Sequence, residues 1–407
     1  MASIVEGREV TTLLEELTTM AGREDPYGHY TRLREMGPLL REDDGTLIVT
    51  RFADCTAVSR DHHLGKMPVD LLPHAGLADW AEHPALYGYF TSLLGINPPD
   101  HTRLRRLVAS SFTARRVRDL RPATTRMIDD LIDDLAARAS EGPADFVPAF
   151  AFPLPLNVIG ELLGIPHADR AQFQHLVQDW SAVLDEITPE VLLKADPAAR
   201  AVRDYLAGLA AERRRRPRED LMSALVGHEE AGDRLTEDEL LTMAGLLFAA
   251  GFETTTNLLS NGLAALLEHP SQLPDLHADP AAAVEELLRF DSPVQNIDRT
   301  VLEPTTAAGV RLEPGQRIVA YTGAANRDPR RFTDPDRLDL RRGDNASLSF
   351  GGGMHYCLGA PMARLEAQIA FPRLFERMPG MRLTDGAQRR NSLTIRGFDH
   401  LWITWEP

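Results

Sequence analysis

The segment TEDELLTMAGLLFAAGFETTTNLLSNGLAALLEH, residues 236–269, limits the possible folds more than any other stretch of the chain. Thr236 is followed three residues on by Glu239, the pattern of a capping box at a helix start. The spacing predicts one helix over 236–268. About thirty residues is long for a helix in a globular protein, where roughly 8–20 is usual. Such a helix crosses a whole core. Yet its centre reads Gly251-Phe252-Glu253-Thr254-Thr255-Thr256, and glycine and β-branched threonines weaken a helix. A core helix that is poorest at its own midpoint points to a functional site there.

The remainder fits a large helical body around that element. Of 407 residues, 43% are hydrophobic, enough for a sizeable core. No linker, low-complexity tract or solenoid repeat divides the chain. Residues 1–407 are therefore expected to form one domain, with 1–24 flexible or loosely packed. Ile128, Leu131, Ile132 and Leu135 fall on one helical face, with aspartates between them. Further helices are expected near 103–119, 200–216, 280–290 and 359–377. Strand signals are few: TLIVTRF at 46–52, and hairpins around EPGQ (313–316) and GFDH (397–400). The fold class is mainly α with small peripheral β-sheets.

The net charge is −16, which argues against nucleic acid as the main partner, since phosphate binding needs clustered Lys and Arg. Two cysteines, Cys55 and Cys357, make no disulfide framework and suit a reducing compartment. The N-terminus lacks the basic start and apolar core of a signal peptide. The most apolar run, Ala244 to Phe252, is far shorter than the ~20 residues of a membrane span. A cytoplasmic protein without a membrane anchor is expected.

Cys357 stands in the open loop FGGGMHYCLG, residues 350–359. Four readings remain open on the residues alone. As a nucleophile with His355 as base, the cysteine lacks an orienting third group, and the two side chains point apart if the loop is extended. As a zinc ligand it has no spaced partners. As a thiolate ligand to haem iron it needs no second cysteine. Glycines let the backbone approach a flat macrocycle, and the helix start near Leu358–Gly359 adds positive dipole. The fourth reading is an inert buried cysteine in a glycine turn.

Phe350, Gly353, His355, Cys357 and Gly359, at that spacing, resemble the haem-ligand loop of the cytochrome P450 family, and the resemblance extends over about residues 25–405. It implies a cytochrome P450 fold, a haem b (iron protoporphyrin IX) and Cys357 as the proximal iron ligand. By the same resemblance Phe350 packs beside the sulfur, Gly351 and Gly359 belong to the cofactor loop, and His355 meets a haem propionate. His101 and Arg105 in NPPDHTRLRRLV, and Arg299 in NIDRTV, are implied as further propionate partners. Glu286 and Arg289 in VEELLRF resemble the family's Glu-x-x-Arg motif, with Arg337 in PDRL implied as the third member of a structural ion network. Ala250-Gly251-Phe252-Glu253-Thr254-Thr255 resembles the oxygen-activation motif. There Thr254 back-bonds to the Ala250 carbonyl and supports oxygen activation, and Glu253 joins a proton relay.

The resemblance therefore implies a monooxygenase that uses O2 to hydroxylate or epoxidise a bulky, mostly apolar small molecule. Leu246, Ala249, Ala250, Val294 and Ile297 are implied pocket residues, with further walls from 65–95 and 170–190. The HTRLRRLV- and VEELLRF-like stretches look most like actinobacterial enzymes that tailor macrolides and other secondary metabolites in antibiotic biosynthesis. No flavin or iron–sulfur sequence is present, so electrons are expected from NAD(P)H through ferredoxin reductase and ferredoxin. Arg103, Arg106, Arg115, Arg116, Arg330, Arg331 and Arg364 are candidates for the docking face, and a monomer is expected. The rival readings are oxidative coupling or peroxide-driven chemistry on the same fold, and a non-catalytic haem sensor. The intact Glu253-Thr254 pair favours oxygen insertion over the first, and the lack of an output segment disfavours the second.

Overall fold

The computed structural model describes residues 4–111, 114–138, 142–228 and 233–406. Contacts group them into two compact units, one of Met1–Gly65, Ile128–Ala151 and Thr254–Pro407, the other of Lys66–Met127 and Phe152–Glu253. The helices Arg121–Ala137 and Glu237–Glu268 each contribute residues to both.

In the first unit a six-stranded sheet runs in the order Val5–Glu6, Leu40–Arg41, Leu47–Val49, Arg317–Ala320, Ile297–Val301, Leu64–Gly65. The Leu47–Val49 strand is buried along its whole length, so both of its faces need cover. Leu47, Val49, Val58, Leu64, Val301 and Ile318 cluster on one side, and Val10, Leu13, Leu17, Leu33, Ile48 and Val319 on the other. The second cluster corrects the expectation for residues 1–24. Helix Arg8–Thr18 puts Val10, Leu13, Leu14 and Leu17 on one buried stripe, so this segment is packed.

The two expected hairpins are also corrected. Strand Val310–Leu312, before the EPGQ turn, pairs with Thr305–Ala307, while Arg317–Ala320 pairs in parallel with Leu47–Val49. Strand Phe398–His400 pairs with Gln388–Arg389, and Trp402–Thr404 pairs with Arg382–Leu383 and Ala144–Asp145.

Helices dominate the second unit. Helix Pro189–Arg215 packs on Phe173–Ser181 and on Pro84–Phe90. Within the expected 103–119 helix, Asp100–Ser111 and Ala114–Asp119 are helical, and residues 112–113 lie outside the described chain.

The long helix forms as expected over Glu237–Glu268. The Glu239 amide donates to Thr236 Oγ1 at 3.2 Å, and the Thr236 amide donates to Glu239 Oε2 at 2.8 Å, which is the capping box. Its glycines are notches for neighbouring helices. A Cβ on Gly251 would lie 2.8 Å from Ile159 Cγ1, and one on Gly262 would lie 2.4 Å from Phe371 Cζ. Gly251 thus has a packing reason in addition to the motif it belongs to.

Candidate functional site

The cysteine loop lies in the first unit, between the turn Gly353–His355 and the helix Ala360–Arg377. Gly351 and Gly353 have φ of 69° and 62°, a region that L side chains adopt at a cost of about 1–2 kcal/mol. Gly353 also has no room, because a Cβ there would lie 2.5 Å from the Ser59 carbonyl oxygen. The loop therefore rests directly on the end of helix Phe52–Arg60. The Cys357 amide donates to the Phe350 carbonyl at 3.0 Å, which folds the loop back on itself. Cys357 is exposed, just ahead of the 18-residue helix Ala360–Arg377. The dipole of that helix favours a negative charge on the sulfur. Gly359 leaves the sulfur accessible, since a Cβ there would sit 3.8 Å from Cys357 Sγ. The Arg364 guanidinium stacks 4.4 Å over the Phe350 ring and pairs with Glu285, so two motif neighbours are held in place.

A buried ion network braces the loop from behind. Arg289 donates to both oxygens of Glu286 at 2.7 and 2.8 Å, and both side chains have 0% exposure. The third member is Arg342, whose Nε lies 3.1 Å from each Glu286 oxygen. This corrects the expectation of Arg337. The Arg337 side chain is 64% exposed and pairs locally with Asp339, and only its carbonyl joins the network, accepting from Arg289 and Arg342. Arg289 also donates to the Asn326 carbonyl at 2.9 Å. The Asn326 side chain in turn receives the Leu348 amide at 2.8 Å and donates to Ser349 Oγ at 3.0 Å. The network thus ends one residue before Phe350.

Arg299 is in the same unit, buried on strand Ile297–Val301, with Nη1 donating to the Asp298 carbonyl. Val294 forms a bridge with Ile395, and Ile297 packs against the sheet core. A second buried network escaped sequence reading. Asp291 accepts from Tyr27 Oη at 2.7 Å and Arg396 Nε at 2.6 Å, and also from Arg389. Burial alone would raise the Asp291 carboxyl, but Arg396 and Arg389 hold it well below the usual range, while burial pushes the Tyr27 phenol up to about 12.

In the second unit, helix Asp100–Ser111 carries His101, which is 1% exposed, and half-buried Arg105 one turn on. The long helix stays α-helical through 250–256, with Glu253 buried and Thr254 half-buried. Leu246 and Ala249 are half-buried, and Ala250 is the one exposed residue between Leu240 and Leu266.

A cavity of about 310 Å³ in this unit is lined by Tyr87, Gly88, Trp180, Arg203, Asp238 and Gly245, among others. It draws on the expected 65–95 and 170–190 segments but contains none of the five named pocket residues. Of the seven arginines considered for docking, Arg103, Arg106, Arg115, Arg330, Arg331 and Arg364 each have a carboxylate within 4.0 Å. Their charge is therefore largely matched within the protein.

The family model for cytochrome P450 matches residues 80–279 and 281–378. The chain belongs to the cytochrome P450 family. It is 41% identical over 375 residues to the cytochrome P450 monooxygenase PikC of Streptomyces venezuelae, covering 88% of this chain and 85% of that one. It is 37% identical to the 6-deoxyerythronolide B hydroxylase of Saccharopolyspora erythraea, covering 96% and 98%. The solved structure of the bacillaene polyketide synthase cytochrome P450 PksS of Bacillus subtilis 168 superposes with a TM-score of 0.84 at 36% identity, covering 96% and 99%. The chain is thus a cytochrome P450 monooxygenase of the bacterial secondary-metabolism type. A cytochrome P450 holds haem, and the cysteine loop fits one: an accessible sulfur just ahead of a helix start, in a loop bent by glycines at positive φ. Among the described residues, no helix is long and apolar enough to cross a membrane.

Proposed function

We propose that this cytochrome P450 inserts one oxygen atom from O2 into a polyketide-class small molecule, with haem b held by Cys357. The observation that carries the reading is the accessible Cys357 sulfur in its glycine-bordered loop ahead of helix Ala360–Arg377. When bound, haem supplies the redox chemistry of dioxygen cleavage and oxygen transfer, and the thiolate donates electron density that favours cleavage. Cys357 provides that thiolate, and the helix dipole steadies its charge. His101, Arg105, Arg299 and His355 are assigned to the two propionates, where cationic donors make charge-assisted hydrogen bonds. The buried Glu253 carboxyl and the Thr254 hydroxyl are assigned to proton delivery. Leu246, Ala249, Ala250, Val294 and Ile297 are assigned to the substrate side, where small alanines leave room for a bulky molecule.

The names of the relatives support the substrate class, since one hydroxylates 6-deoxyerythronolide B and another belongs to a polyketide synthase. Electrons come from NAD(P)H through a ferredoxin reductase and ferredoxin, in the cytoplasm, to a monomeric enzyme. A panel of macrolactones and other polyketides, incubated with NAD(P)H, reductase and ferredoxin, tests this. A product heavier by one oxygen, labelled from 18O2, is expected. Labelling from water, or turnover with peroxide alone, would favour the rival chemistries. Thr254→Ala is expected to keep haem while releasing peroxide at the expense of product. Unchanged coupling of NAD(P)H use to product would remove the role given to Thr254.

A further inference from the structure

The turn that follows helix Phe52–Arg60 reads Asp61-His62-His63, and each residue offers a metal-ligand atom, all within 4.8 Å of one another. The His62 and His63 rings lie 3.9 Å apart, centre to centre. Glu303 stands at the other ring nitrogen, with Oε2 3.9 Å from His63 Nε2, so it flanks the His63 ring and does not join the ligand set. Ligand atoms around a tetrahedral zinc ion stand about 3.4 Å apart, from bonds of about 2.1 Å. Side-chain rotation of His62, which is exposed, closes the difference.

The turn is already fixed in shape. The His63 carbonyl accepts the Leu302 amide at 2.8 Å and the Glu303 amide at 3.3 Å. Asp61 Oδ1 accepts from the His63 amide at 2.9 Å and faces His63 Nδ1 at the same distance. Thr305 Oγ1 donates to Asp61 Oδ2 at 2.6 Å. That is the arrangement by which outer groups orient the inner ligands of a metal.

Asp61, His62 and His63 thus combine two imidazoles with a carboxylate on a preformed turn. We propose that these residues form a binding site for a borderline divalent metal ion of the zinc class. Two imidazole nitrogens select zinc, copper or nickel over magnesium and calcium. The site does not depend on the haem. It nevertheless begins one residue beyond Ser59 and Arg60, the residues against which Gly352 and Gly353 of the cysteine loop pack. A metal ion there pins the same helix end that supports the cysteine.

The test is equilibrium dialysis of the haem-loaded protein against zinc sulfate, paired with Cu2+ electron paramagnetic resonance. One zinc per chain is expected, with the copper spectrum showing coupling to two imidazole nitrogens. His62→Ala and His63→Ala are each expected to weaken zinc binding by at least about tenfold and to remove one nitrogen from the copper signal. Thr305→Val is expected to weaken zinc by about tenfold through its effect on Asp61. His62 is exposed, so His62→Ala leaves the fold intact, as an unchanged haem absorbance will verify. No stoichiometric zinc in the natural protein, or undiminished affinity in His62→Ala, would overturn the proposal.

Discussion

Cys55 lies on helix Phe52–Arg60 with no exposed surface, its thiol donating to the Val49 carbonyl at 3.4 Å and more weakly to the Tyr321 carbonyl at 3.7 Å. Cys357 stands exposed in a glycine-bordered loop that rests on the far end of that same helix. Burial pushes the Cys55 thiol well up, so it stays neutral and behaves as a small hydrophobe. At Cys357 an adjacent helix start favours charge instead. One residue type thus stands buried at one end of a helix and exposed beside the other, and the surroundings decide how each sulfur behaves.

The strongest test of that contrast exchanges each cysteine in turn. Cys357→Ala is expected to abolish the red-shifted absorption band of the reduced, carbon monoxide-treated protein, while Cys55→Ala keeps it in full. A retained band in Cys357→Ala would end the assignment. The next test addresses what holds the reactive cysteine's loop. Glu286→Ala leaves buried Arg289 without its carboxylate and is expected to cost about 3–5 kcal/mol in denaturant unfolding, while Arg342→Ala, which leaves Glu286 paired with Arg289, is expected to cost less, about 1–3 kcal/mol. Arg337→Ala, with its side chain in solvent, is expected to stay within about 0.5 kcal/mol. Equal losses for Arg337 and Arg342 would undo the corrected network.

Gly353→Ala comes next, with an expected cost above the 1–2 kcal/mol of a left-handed alanine, because the Ser59 carbonyl must also yield. A diminished thiolate band should accompany it. Among the changes expected to destabilise, Cys55→Ala has the smallest effect, about 1 kcal/mol by the same unfolding measurement, through lost packing alone.

The glycine-bordered loop of Cys357 and the start of the long helix were legible in the sequence as local patterns, and the long-range packing around both cysteines was not. Cys357, its glycines and the capping box at Thr236 and Glu239 are short-range patterns, so ten or fewer residues contain the whole signal. Arg342 lies five residues beyond the motif that pointed to Arg337, and only the path of the chain shows that it turns back to Glu286. The hairpins at 313–316 and 397–400 failed for a similar reason, since turn chemistry states where a chain reverses and is silent on which strand it meets. Helix Arg8–Thr18 carried a clear apolar stripe, but its partners Ile48 and Val319 are far along the chain. Asp61, His62 and His63 are adjacent, yet only the clamp from Leu302, Glu303 and Thr305 gives the turn a shape.

The central pairing of the six-stranded sheet has a consequence for how the protein is made. Leu47 must wait for Ile318, about 270 residues downstream, before its strand has a parallel neighbour. At roughly 5–20 residues per second on the ribosome, that delay is on the order of tens of seconds. During that time Leu47, Ile48 and Val49 form an unprotected, sticky edge. The nascent protein is therefore expected to depend on a chaperone for most of its synthesis, and to suffer more from fast overexpression than its finished stability suggests.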